Sequence, residues 1–163
     1  MKRKNDHSKP AHMSPMDAAL SYLTARMRTE REVEDRLDDL QYGEDDILAT
    51  VERLKELNLI NDEAYAREFV RSRLATKPVS RQKLYSDLRA HHVPEALIKA
   101  TLNELPRETE ADNALDAARK FWRQMENLEE DVRRERVLRR LMSRGFSTEA
   151  SLTAIRQVAE EEY

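Results

Sequence analysis

The 163-residue chain contains no cysteine, two glycines (Gly43 and Gly145) and five prolines. No apolar run approaches the length needed to span a bilayer. Without thiols, disulfides, zinc–thiolate sites and cysteine nucleophiles are excluded. With so little glycine, no Gly-rich phosphate loop exists, and the tight turns of most sheet proteins are missing. The basic start MKRKNDHSKPAHM runs into no apolar segment, so it is not a secretory signal, and the cytoplasm is the expected compartment.

What is present is the vocabulary of helices: Ala, Leu, Arg and Glu dominate, and 37% of residues are charged. The expected fold class is all-α. Helix starts are signed repeatedly. Ser14-Pro15-Met16-Asp17, Thr29 with Glu32, and Thr109 with Asp112 all have the pattern of a cap answered from the first turn, and Asp62 is a further N-cap candidate.

A pattern is written three times, as 33-VEDRLDDLQYGEDDILATVERL-54, 84-LYSDLRAHHVPEALIKATLNEL-105 and 137-VLRRLMSRGFSTEASLTAIRQV-158. Aligned, Val33, Leu84 and Val137 fall together, as do Leu37, Leu88 and Leu141, then Tyr42, Val93 and Phe146. Spacings of four and three residues put these on single helix faces, so each copy is predicted to be a helical hairpin. Before each stands another helix, around 19-ALSYL-23, 66-AREFV-70 and 118-ARKFW-122. The sequence therefore predicts a disordered tail over 1–13 and three tandem three-helix repeats over 14–60, 61–106 and 107–163. Since one such unit buries little core alone, the units are expected to lean on each other in an elongated, curved array.

Signals of catalysis are missing: there is no nucleophile elbow and no metal-ligand spacing. No catalytic residue, metal site or cofactor is assigned. His91 and His92, adjacent and pointing about 100° apart, are expected at a solvated helix end. The runs Glu44-Asp45-Asp46 and Glu129-Glu130-Asp131 suit the positive ends of helix dipoles.

The basic residues carry more information. Net charge is −3 and the sequence pI about 5.9, yet 29 basic side chains can form patches that the sum conceals. In 133-RRERVLRRLMSRG-145, Val137, Leu138, Leu141 and Met142 define the expected buried face. Arg133, Arg136, Arg140 and Arg144 form a stripe along its edge. Either carboxylates of the same chain pair with this stripe, or an external phosphate backbone or acidic protein surface meets it. The middle repeat adds Arg67, Arg71, Lys77, Arg81, Lys83 and Arg89. Arg73, in phase with Ala66, Phe69 and Val70, is expected to be structural, and Phe121 and Trp122 to be core.

Leu57-x-Leu59-Ile60-x-Asp62-x-x-Tyr65-Ala66 running into Phe69-Val70-x-Ser72-Arg73, with Arg144-Gly145-Phe146 as a second marker, resembles the RecX family of bacterial recombination regulators. The resemblance runs from about Ala18 to the C-terminus. It departs from the family in 74-LATKPVSRQKL-84, where Pro78 sets a turn that usually contains glycine. The resemblance implies tandem three-helix repeats; a monomer is expected, and the lack of a long apolar run implies no membrane partner. Its implied partner is RecA, with the RecA–DNA filament and single- or double-stranded DNA directly. It implies inhibition of filament extension, ATP hydrolysis, strand exchange and the SOS coprotease activity. Two alternatives are a DNA-binding protein of helix-turn-helix-like units, which acidity disfavours, and a non-catalytic helical adaptor.

Overall fold

The computed structural model describes residues 13–106 and 108–162, leaving the side chains at 108 and 109 undescribed. The expected tail lies outside these residues except for Met13, whose carbonyl accepts from Tyr42 Oη at 2.7 Å. The side chain of Thr109 also lies outside them.

Among the described residues the chain forms helices only: α1 (Pro15–Leu23), α2 (Glu30–Asp39), α3 (Glu44–Glu56), α4 (Asp62–Thr76), α5 (Arg81–Ala90), α6 (Glu95–Asn103), α7 (Glu108–Gln124), α8 (Glu130–Ser143) and α9 (Thr148–Glu161). Close helix packing is confined to α1–α3, α4–α6 and α7–α9. Each triplet has its own core. Val33, Leu37, Val51 and Leu54 centre the first, Leu84, Leu88 and Ile98 the second, and Val137, Leu141, Phe121 and Trp122 the third. Burying each large side chain contributes about 1.5–3 kcal/mol before chain entropy is subtracted. The units form three tandem three-helix repeats joined in a row.

Local chemistry sets the boundaries. Thr29 and Glu32 close a full capping box, with Glu32 N–H on Thr29 Oγ1 and Thr29 N–H on Glu32 Oε2, both at 3.2 Å. Ser14, Ser80 and Ser147 cap α1, α5 and α9. The fourth helix is capped by Asn61, which accepts from Ala64 N–H at 2.9 Å, and the expected cap Asp62 is its first residue. Likewise α7 starts at Glu108, placing Thr109 inside the helix. Lys77, in front of Pro78, is extended (φ −151°, ψ 137°), so the proline-containing segment ends α4 cleanly without glycine.

The three hairpin turns share one geometry. Gln41 (φ 61°), His92 (φ 60°) and Gly145 (φ 85°) occupy the left-handed position after α2, α5 and α8. The next N–H, of Tyr42, Val93 or Phe146, returns to the carbonyl of Leu37, Leu88 or Leu141 at 3.2–3.3 Å. This is a Schellman motif, and its apolar contact is the aligned pair found in the sequence.

The units are joined by an interface used twice. Fully buried Thr29 donates to the His91 carbonyl at 2.8 Å, and fully buried Ser80 donates to the Arg144 carbonyl at 3.4 Å. In register with these, Glu30 N–H donates to Asp62 Oδ1 and Arg81 N–H to Glu110 Oε2, each at 2.8 Å. The second helix of one unit thus starts against the hairpin turn and first helix of the next. At the second joint a Cβ on Gly145 would stand 2.6 Å from Ser80 Oγ and 3.0 Å from Lys83 Cβ. Only glycine allows that approach.

Candidate functional site

The cationic stripe on α8 is built by helix phase and by what the neighbouring helices cover. Arg133 leaves the stripe. Contrary to its expected place on an open edge it is 7% exposed, with its guanidinium 4.2 Å from the Trp122 ring centroid. Its Nε donates to the Trp122 carbonyl at 2.9 Å, near the end of α7, and a terminal nitrogen meets Glu162 Oε2 at 2.8 Å. Glu162 also accepts from Trp122 Nε1 at 2.7 Å. These two interactions, the indole first and the guanidinium second, hold the Glu162 carboxyl below its ordinary range. Met142, expected to be buried, is 49% exposed.

Arg136, Arg140 and Arg144 keep the stripe. Arg134 and Arg139 are paired with Glu130 and Glu135 one turn away. Among the described residues no carboxylate pairs with the three remaining guanidiniums. Arg140 donates to Gln124 Oε1 at 2.9 Å and lies 5.0 Å from the Phe121 centroid, and Arg144 lies 6.0 Å from the same ring. Phe121 and Trp122 are core residues as expected. Arg136 and Arg140 line a groove of about 460 Å³ with Met125, Arg139 and Ser143. Arg136 and Arg140 are exposed and Arg144 is half-buried, and with no counter-charge on them among the described residues they form a surface suited to an anionic partner.

The middle unit is arranged differently. Arg67 pairs with Glu63 at 2.9 Å and Glu104 at 3.0 Å, Arg71 with Glu68, and Lys83 with Asp87 at 2.7 Å. Arg81 donates to the carbonyls of Leu102, Leu105 and Pro106, satisfying the end of α6. Lys77 and Arg89 are exposed and form no close ion pair among the described residues, although Arg89 acts at longer range on Glu95. The chosen residues are therefore not one constellation: α8 gathers three, the middle unit presents isolated cations, and Arg81 and Arg133 serve the fold.

His91 departs from the expected solvated helix end. Its Nδ1 lies 2.9 Å from Glu32 Oε1, and its ring contacts Tyr65 and Phe69 at centroid distances of 5.8 and 5.4 Å. Arg73 matches its structural expectation in part: its guanidinium sits 5.0 Å from the Phe69 centroid while the side chain stays 44% exposed. Arg26 and Met27, which belong to no periodic segment, join this neighbourhood across the first joint. Among the described residues no group of acidic or histidine side chains is placed to hold a metal ion, and no helix is long and apolar enough to cross a membrane.

Comparison with known proteins covers all three units. Family models described as the first, second and third three-helix domains of RecX match residues 16–54, 61–102 and 108–155. The regulatory protein RecX of Streptomyces lividans is 33% identical over 88% of this chain and 76% of its own. That of Prosthecochloris aestuarii is 31% identical over 90% of this chain and 91% of its own. The crystal structure of RecX from Lactobacillus salivarius superposes with a TM-score of 0.76 at 26% identity, covering 89% of this chain and 94% of that one.

Proposed function

The chain belongs to the RecX family, and from that premise we propose that it regulates RecA by binding the recombinase and its nucleoprotein filament. Binding restrains filament extension and, with it, ATP hydrolysis, strand exchange and SOS coprotease activity. The supporting observation is the unpaired Arg136–Arg140–Arg144 edge at one end of a row of three units. A row reaches across more than one subunit of a polymer, and the cations supply the contact to acidic protein surface or bound DNA. No chemistry is required of the regulator: a ligand that favours an arrangement unsuited to growth shifts the polymer by its differential affinity.

Co-sedimentation with RecA filaments assembled on single-stranded DNA tests this. The chain is expected to pellet with filaments, and the double variant Arg136→Glu/Arg140→Glu to bind about tenfold more weakly, as loss of charge complementarity predicts, with unchanged helicity by circular dichroism. Wild-type binding by that variant would remove the α8 edge from the contact. Equal pelleting on DNA without RecA would favour a DNA-binding protein instead.

A further inference from the structure

At the joint between the first two units, Arg26 and Met27 face Tyr65, Phe69, Arg73 and His91 across a groove of about 360 Å³. Met27 is 47% exposed. The two arginines are held loosely: Arg26 lies 3.8 Å from Glu32 and Arg73 lies 3.9 Å from Asp87, both beyond hydrogen-bond distance. The acids around them have closer partners. Glu32 faces His91 at 2.9 Å, Asp87 faces Lys83 at 2.7 Å, and Glu68, also on the wall, is paired with Arg71. An apolar floor is thus flanked by two guanidiniums whose donors are available.

We propose that this groove docks an acidic segment of a partner protein, inserting one aromatic or aliphatic side chain against Met27 and Phe69 while flanking carboxylates take Arg26 and Arg73. Charge complementarity selects the carboxylates, since guanidinium forks bind them in two-pronged fashion. A nucleic acid fits less well. A base would have to stack face to face on Phe69, which is stacked on Tyr65 at 6.2 Å and overlaid by Arg73 at 5.0 Å, whereas a peptide side chain needs only the exposed Met27 and the rim of that ring. The carboxylates of Glu32 and Glu68 at the walls also oppose a run of phosphates. Because its two walls come from different units, an occupied groove holds the first joint closed, so the segment would fix the angle between units one and two. This surface is separate from the α8 edge and does not depend on RecA being the regulated partner.

The test is fluorescence polarisation of a labelled heptapeptide with one Phe between two runs of Asp, titrated with the full chain at low salt. Saturable binding is expected, weakened about tenfold in Arg26→Glu/Arg73→Glu and similarly weakened when Ala replaces the peptide's Phe. Because Arg73 also overlies Phe69 and the reversal sets carboxylates beside Glu32 and Asp87, circular dichroism and thermal unfolding check that this variant keeps its fold. The milder Met27→Ser reports on the apolar anchor alone. Because the α8 edge also attracts anions, Arg136→Glu/Arg140→Glu is expected to remove only a salt-screened background, leaving the dependence on the peptide's Phe intact. Absence of binding, equal binding by the groove variant, indifference to the peptide's Phe, or competition by oligothymidylate that the groove variant abolishes would each overturn the proposal.

Discussion

Gly145 and His92 occupy equivalent left-handed positions but answer different demands. At Gly145 two constraints coincide, the positive φ and the approach of Ser80 and Lys83 to within 3.0 Å of where a Cβ would stand. At His92 only the φ of 60° applies, and the side chain is exposed. Left-handed backbone costs a residue with a Cβ about 1–2 kcal/mol, against about 0.5–1 kcal/mol of extra chain entropy lost by glycine. The two substitutions should therefore have opposite signs. Thermal unfolding is expected to show Gly145→Ala destabilised by about 2 kcal/mol or more, and His92→Gly stabilised by about 0.5–1 kcal/mol. Shifts of the same sign would show that the joint, rather than the turn, dictates both positions.

Single residues also mark what the sequence could and could not convey. The Thr29–Glu32 box was legible because its partners lie three residues apart and no other element intervenes. Arg133 was misplaced because helical phase gives direction around one axis only. It does not reveal that the end of α7 and Glu162 enclose that edge. Arg26 and Met27 lie in a connector where no period operates, so nothing in the sequence drew them to Phe69 and His91.

Among the elements, α9 depends on a charged lock at its C-terminal end, where Glu162 accepts from Trp122 Nε1 and from Arg133. The carboxyl's ordinary value is 4.5, and the folded protein lowers it. A group depressed on folding stabilises the fold above its unfolded value and loses that contribution as pH falls through the folded one. Trp122 is the only tryptophan, so its emission reports on the lock. Acid titration is expected to produce a fluorescence change centred below pH 4.5 that Glu162→Gln removes. A change centred above 4.5, or one unaffected by the substitution, would assign the transition to other carboxylates. The helices themselves were largely legible, since α2–α3, α5–α6 and α8–α9 repeat one apolar template and their turns share one capping geometry. The boundary at Asn61 was not, because Asp62 beside it is an equally good cap residue, and α7 starts at Glu108, one residue before the expected cap Thr109.

For the whole molecule, repetition extends from helices to joints. Thr29 with His91, and Ser80 with Arg144, are the same contact made twice, and the acceptors at Asp62 and Glu110 repeat it in parallel. Three repeats were readable from periodicity, as was the row they form. The joints were not, since their partners lie 62 and 64 residues apart and involve backbone carbonyls that every residue possesses. The row ends in the cationic edge of α8, and its proposed role is to act on a polymer rather than on a single subunit. The most direct measurement of that role is RecA's ATP hydrolysis on circular single-stranded DNA, with the chain added substoichiometrically after filaments have formed. A progressive decline in hydrolysis, weaker with Arg136→Glu/Arg140→Glu, is the predicted result. Hydrolysis that continues unchanged beside a folded chain and its matched RecA would contradict it.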